Sequence, residues 1–189
     1  MAQQKNRKSH HTACVNWFKG VKYMVKYKKV DINNEDEIKL LSHLASSIVK
    51  EHFDPIVGVA QNDYMIDKFQ SVTAITEQLR NGYQYYLVEN ENAILIGFVA
   101  FYKCKEELHL SKFYLRKEER GKGIAKDMLL FIKHKAREAQ ISSIVLNVNR
   151  NNDAIKAYEK IGFRKIREEM NDIGNGFVMD DFVYQCQLK

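Results

Sequence analysis

The 189-residue sequence predicts a single α/β domain in which helices cover both faces of a mixed sheet. Three observations predict it. From Gly82 the apolar period changes from helical to alternating, and three alternating stretches follow, joined by turns short enough to require antiparallel pairing. The last of them, Glu107–Leu115, runs through the turn Arg120-Gly-Lys-Gly-Ile-Ala125 directly into an apolar-periodic helix. A further β-branched stretch at 144–148 is reached only through that helix, so it lies parallel to its predecessor.

The elements follow in order. Residues 23–30, β-branched and aromatic, read as the first strand. Asn33 or Asn34 caps a helix whose first turn carries Glu35, Asp36 and Glu37, where negative charge is favourable. Ile38, Leu41, Leu44, Ala45, Ile48 and Val49 form its apolar stripe, and it is expected to stop before Pro55. After a loop over 54–62, a weaker helix carries Met65, Ile66 and Phe69, and Ser71 caps a third with Ile75 and Leu79. Strands are expected at 83–89, at 93–102 (interrupted by Gly97) and at 107–115. Beyond the glycine turn, Ile124, Met128, Leu129, Phe131 and Ile132 mark a helix to about residue 139. A strand at 144–148, a helix over 152–160 and strands at 163–169 and 177–187 complete the chain.

Composition bounds the function. Hydrophobic residues make up 45% and charged residues 29%, ordinary for a water-soluble globular chain, and a single proline argues against a linker-separated second domain. Cys14, Cys104 and Cys186 lie far apart without metal-ligand spacing and read as reduced thiols in a cytoplasmic protein. The net charge of +6 belongs to one end: residues 1–29 hold eight Lys or Arg and no acid, so the remainder is slightly acidic. Residues 1–22 are expected to form a basic, flexible tail ahead of one domain over 23–189. His10-His11 has no further ligand at hand, and no metal is expected. The apolar run at 13–18 is too short for a secretory signal, and no run reaches the ~20 apolar residues of a membrane span. Without a basic stripe in the domain, nucleic acid is not the expected partner.

The glycine turn carries the first chemical signal. Glycines at alternate positions uncover backbone amides at the positive end of a helix, an arrangement suited to a diphosphate. It is neither a dinucleotide fingerprint, which needs glycine at Lys126, nor a Walker motif. The second signal follows the parallel strand: Asn149-Arg-Asn151-Asn-Asp-Ala154, then Tyr158, then Gly162-Phe163. Asn151 is placed to cap the helix, Ala154 allows close approach, and Tyr158 lies one turn on along the same face. A tyrosine aimed into the crevice of the anion turn can donate a proton to a leaving group.

Arg120-x-x-Gly123-x-Ala125 after a strand resembles the acyl-coenzyme A motif of the GNAT superfamily of N-acetyltransferases, and the Asn151…Ala154…Tyr158…Gly162-Phe163 spacing is similar to its second signature. The likeness covers most of the chain from about residue 27. It implies a mostly antiparallel twisted sheet of six to seven strands flanked by about four helices, with a splayed central parallel pair. Three stretches resemble the bacterial PaiA-like polyamine acetyltransferases more closely: Tyr64-Met-Ile-Asp-Lys-Phe-Gln-Ser71, Leu110-Ser-Lys-Phe-Tyr114 and Asp172-Ile-Gly-Asn-Gly-Phe-Val-Met-Asp-Asp-Phe182. Ala125, where glycine is commoner, and the basic tail depart from the pattern.

The resemblance implies acetyl-coenzyme A as cosubstrate and a small-molecule amine as acceptor. Backbone groups of Phe113 and Leu115 would bind the pantetheine amides, and the amides from Gly121 through Lys122, Gly123, Ile124 and Ala125 to Lys126 the pyrophosphate. Arg120 would help form the turn, Lys122 or Lys126 add charge, Asn151 sit near the pantetheine arm and Tyr158 protonate the leaving thiolate. His109 is the favoured general base, with Glu107 or a water chain as alternatives. Asp180 or Asp181 would recognise the distal ammonium of a polyamine, and Glu51, His52 and Asp54 lie where the acceptor would enter. Plainer readings stand beside these: His109 lining a polar groove, Tyr158 as a core tyrosine, and the two aspartates as ordinary edge charges. A protein or antibiotic amine as acceptor, a coenzyme A-binding regulator without turnover, a tail-tethered nucleic-acid association and a homodimer also stay open.

Overall fold

Strand and helix periods take nearly their expected places in the computed structural model, which describes residues 24–188. The expected tail, its His10-His11 pair and Tyr23 at the start of the first strand lie outside the described residues. The elements are β1 (Lys26–Lys29), α1 (Glu35–Val57), α2 (Val59–Gln70), α3 (Val72–Arg80), β2 (Gln84–Glu89), β3 (Leu95–Cys104), β4 (Glu107–Leu115), α4 (Ile124–Glu138), β5 (Ser143–Asn149), α5 (Ile155–Lys160), β6 (Arg164–Gly174) and β7 (Phe177–Gln187). A 3₁₀ turn at Lys117–Glu119 precedes the glycine turn. The described residues hold five α-helices, the five that the sequence pattern marks, where the family resemblance implied about four.

The strands form one sheet in the order β1-β2-β3-β4-β5-β7-β6, and only β4 and β5 run parallel. Successive residues on a strand face opposite sides, so the sheet feeds two cores. Tyr85, Leu87, Phe98 and Ala100 pack beneath α1 and α3 with Leu41, Ile48 and Ile75. Val88, Val99, Leu108 and Leu110 pack on the other side with Met128, Ile132 and Phe163. β1 anchors α4: Tyr27 stacks on Phe131 at 4.0 Å and donates to Asp127 at 2.7 Å. No helix of the described residues is long and apolar enough to cross a membrane.

Two expectations are corrected. α1 does not stop before Pro55 but carries it in its last turns and ends at Gly58, whose φ of 84° no β-carbon-bearing residue readily adopts. Pro55 lacks the N–H that would bond the Glu51 carbonyl, a small loss so near a C-terminus, where carbonyls are already released. The loop expected over 54–62 therefore shrinks to Gly58, and α2 starts at once. The sixth strand also runs on, to Gly174 rather than residue 169.

Two irregularities in the central strands shape the molecule. Ala100 pairs with Lys112 but Phe101 pairs with Leu110, so Ser111 is an extra residue bulged out of β4. The parallel pairing of β4 with β5 is confined to Glu107, Leu108 and His109 opposite Ser143, Ile144 and Val145. Past that point the strands diverge, leaving an opening between Leu110–Leu115 and Leu146–Asn149. Gly97 lets β3 stay close to β4 there, since a Cβ would run into the Tyr114 carbonyl.

Candidate active site

The opening between the diverging strands is the floor of a cleft of about 1210 Å³, which reaches from the glycine turn to the β6–β7 hairpin. At one end, Gly121 and Gly123 take φ of 77° and 86°, and Gly123 precedes the first turn of α4. Among the described residues, no acceptor is found for the amides of residues 121–125. The Lys126 amide differs: it donates to the Gly123 carbonyl at 3.1 Å and is spent within the turn. Arg120 Nε donates to the Leu115 carbonyl at 3.3 Å, tying the turn to the end of β4. Arg120, Gly121, Gly123, Ala125 and Lys126 line the cleft. Ile124 is buried in the core, and Lys122 pairs with Glu119 at 3.0 Å, outside the lining.

The second signature closes one wall of the same cleft. Asn151 is exposed at the rim, and its amide donates to Asn149 Oδ1 at 3.0 Å. It is not the cap of α5: the N-cap is Ala154, which carries no side-chain cap, and the Asn152 side chain accepts from the Ala154 amide at 2.9 Å in the turn before the helix. The helix itself is shorter than expected because residues 152–154 form this turn. Ala154, Ala157 and Tyr158 line the cleft. Tyr158 packs between Phe113 and Phe163, with ring centroids 6.1 and 5.7 Å away, which fixes its ring. Burial raises its pKa, so the hydroxyl keeps its proton throughout the physiological range.

β4 presents different groups on its two sides. Phe113 and Leu115 pack on the α4 side, while Tyr114 faces α1, 5.2 Å from Phe98 and 6.2 Å from Phe53. His109 lines the cleft, stacked on Tyr102 at 4.9 Å, and burial lowers its pKa, outweighing the opposing charges of Glu169 and Glu107 with smaller help from Arg167 and Lys112. It is therefore neutral near pH 7, the form a base requires. The runner-up Glu107 is engaged elsewhere, accepting from Ser143 at 3.1 Å and Gln185 at 2.6 Å.

The far wall comes from α2 and the β6–β7 hairpin, and it joins two of the stretches that carry the closer resemblance. Tyr64 donates to the Ile173 carbonyl at 2.7 Å and packs on Phe177 at 5.4 Å. Lys68 donates to the same carbonyl, and Gln61 Nε2 donates to the Val178 carbonyl at 2.8 Å. The acidic pair is divided by strand alternation. Asp181, only 3% exposed, lines the cleft, and burial followed by the charges of Asp180 and Glu169 raises its pKa to about 6. Asp180 lies outside the lining and pairs with Arg150 at 2.5 Å. Among the residues named between the first helices, His52 lines the cleft beside the glycine turn, its pKa lowered by burial and then by Arg120. Glu51 also borders the opening, whereas Asp54 accepts from the buried Asn62 at 2.7 Å.

Lys112, Tyr114 and Glu169 also line the cleft and were not singled out from sequence. For Lys112 and Tyr114 the signal was the parity change in β4, where the inward apolar positions run 108, 110 and then 113, 115; Glu169, on β6, had none. That shift marks the bulge and moves Lys112 to the cleft side.

A mostly antiparallel sheet with one splayed parallel pair, an amide-lined turn at the splay and a protonated tyrosine beside it define a class of acyl-transfer enzymes that use coenzyme A. The model of the acetyltransferase (GNAT) domain family matches residues 46–179, and the chain belongs to that family, whose acetyl donor is acetyl-coenzyme A. Similar solved structures include the PaiA N-acetyltransferase of Thermoplasma acidophilum in complex with coenzyme A, with a TM-score of 0.70 and 21% identity over 86% of this chain and 98% of that one. A GNAT-family acetyltransferase of Staphylococcus aureus gives 0.64 and 22% identity, covering 86% and 99%. A chimera of the Vibrio cholerae spermidine N-acetyltransferase gives 0.63 and 17% identity, covering 87% and 95%. At these identities the likeness is one of fold. No curated protein matches the chain significantly in sequence.

Proposed function

We propose that this N-acetyltransferase transfers acetyl directly to a primary amine of a small molecule, within the PaiA-like branch and with a polyamine as the first acceptor to test. The observation that carries the reading is the meeting, in one cleft, of the acceptor-free amides of 121–125, the protonated Tyr158 and the buried carboxylate Asp181. The residues present fit coenzyme A. Positive-φ glycines leave a cradle of donors for the pyrophosphate, and the backbone of Phe113 and Leu115 faces the gap where β5 has turned away. Lys126 adds positive charge at the rim and Asn151 lies where the pantetheine arm would pass.

Acetyl-coenzyme A supplies the activated acetyl group; the chain supplies orientation and proton transfer. His109 takes the proton of the incoming ammonium, directly or through water, because its lowered pKa leaves the imidazole free to accept. Tyr158 holds a proton at Oη for the leaving sulfur. Asp181 attracts the cationic acceptor, and the hairpin pinned to α2 keeps that carboxylate in place. The PaiA-like assignment is supported by the contact of Tyr64 and Lys68 with Ile173, two of the three resembling stretches meeting in one wall. Thiol release with spermidine, amino acids, aminoglycosides and peptides tests the reading. Saturable turnover with spermidine is expected; preference by a wide margin for peptides or aminoglycosides would remove the polyamine assignment, and release with none would remove the activity.

A further inference from the structure

The charges lining the acceptor half of the cleft do not all cancel. Glu169 is satisfied by Arg167 at 2.7 Å and Asn147 at 2.9 Å, and Asp180 by Arg150. Two charges withdrawn from water, of opposite sign, have no ion-pair partner among the described residues: Asp181 on β7 and Lys112 on β4; Glu51, also unpaired, is exposed at the rim. Asp181 is buried, and Lys112 lies half-buried over the Phe69 ring, Nζ 5.5 Å from its centroid. Beside it stands Gln70, whose amide oxygen, when turned toward Lys112, is 3.2 Å from Nζ.

Leaving a charge desolvated and unpaired is unfavourable unless a ligand compensates it. Burial lowers Lys112 to about 8 and raises Asp181 to about 6, so near pH 7 both charges are present in the chamber. They also have a direction. Asp181 stands opposite Asn149, at the end of β5 that leads into the turn before Tyr158, which puts Asp181 toward the reacting end. Lys112 points the other way, to Phe69 and Gln70 at the end of α2. A second ammonium of a linear polyamine would meet Lys112 with like charge.

We infer that the acceptor is an amine that also bears an anionic group, with its amino end on the Asp181 side and its carboxylate, or an equivalent anion, at Lys112. This rests on the acetyltransferase reading above and, within small primary amines, puts an amino carboxylate ahead of a plain polyamine.

The test compares γ-aminobutyrate and ε-aminocaproate, each beside the alkylamine of equal length, and spermidine, as acceptors for the full chain by thiol release. Wild type, Lys112→Gln and Lys112→Arg are measured, together with calorimetric binding of the same amino carboxylates to the coenzyme A complex. An amino carboxylate should exceed its matched alkylamine in kcat/KM by about tenfold in wild type. The ratio should fall to near one in Lys112→Gln, mainly through KM, and recover in Lys112→Arg. Binding of the amino carboxylate should likewise weaken in Lys112→Gln. A ratio insensitive to Lys112, or spermidine outrunning every amino carboxylate, overturns the inference while leaving the acetyltransferase intact. If no amine is acetylated, the enzymatic reading fails, and calorimetry alone decides: Lys112-dependent binding upholds the two-pole chamber, and its absence overturns it.

Discussion

On the side of the cleft formed by residues 120–126, α4 and α5, the groups that face a ligand are mostly backbone amides and small residues, joined by the side chains of Arg120, Lys126 and Tyr158. Across the cleft, on α1, α2 and the β6–β7 hairpin, they are side chains: His52, Phe69, Glu169 and Asp181. A backbone site tolerates any sequence that keeps its dihedrals, so it serves a ligand part that never varies. A side-chain site changes with each substitution and suits an acceptor that differs between relatives. The two sides should therefore separate under mutation, the first losing cofactor affinity and the second losing acceptor KM.

The sharpest separation is expected at Tyr158, the proposed acid for the leaving thiolate. Tyr158→Phe removes only the hydroxyl, so coenzyme A affinity should stay within a few fold while turnover falls by roughly 10-fold to 1000-fold. Wild-type turnover across pH 6 to 9 would rule it out as the principal acid.

Next comes His109. Its lowered pKa places the acid limb of kcat/KM below the ordinary imidazole range of about 6.5, with a plateau at neutral pH. His109→Gln should reduce kcat by about tenfold or more and erase that limb. A limb that persists in His109→Gln but disappears in Asp181→Asn would transfer the role of base to the carboxylate.

On the cofactor side, Gly123→Val forces a β-branched residue into φ of 86° and should weaken coenzyme A binding at least tenfold, about 1.4 kcal/mol, with acceptor KM little changed. Calorimetry on a variant shown to be folded checks this, and unchanged affinity would remove the pyrophosphate assignment.

The smallest effects should split the acidic pair. Asp181→Asn should raise acceptor KM several-fold, and Asp180→Asn should leave it within about twofold, because only Asp181 faces the cleft. Asp181→Asn should also be the more stable protein at pH 7.5, by up to about 3 kcal/mol for a shift of this size. The sign follows from a folded pKa raised to about 6: the native state loses stability as pH climbs through that value, and the penalty vanishes below the unfolded pKa. Melting curves should therefore converge toward pH 4, and equal melting temperatures at pH 7.5 would show that the carboxylate is not strained.

The same comparison explains what the sequence disclosed. Gly121, Gly123, Ala154 and Tyr158 sit at fixed spacings within two short strand-to-helix units, so the local chain alone placed them together. Seven strands and the parallel pair were legible from alternation and turn length. The acceptor wall depends on contacts such as Tyr64 with Ile173, 109 residues apart, which no local pattern reports. Asp180 and Asp181 looked equivalent until strand pairing sent them to opposite sides. Lys112 stayed hidden because one bulged residue, Ser111, reversed the faces of β4. Pro55 was read as a stop, although the following Gly58 is the true end of α1.

Amide hydrogen exchange with and without coenzyme A reads both sides of the cleft at once. Slower exchange is expected over residues 121–125, whose amides lack acceptors, and at 113–115 on the splayed strand, with the β6–β7 hairpin unchanged. Protection confined to the hairpin, or none at 121–125 under saturating coenzyme A, would contradict a cofactor site made of backbone.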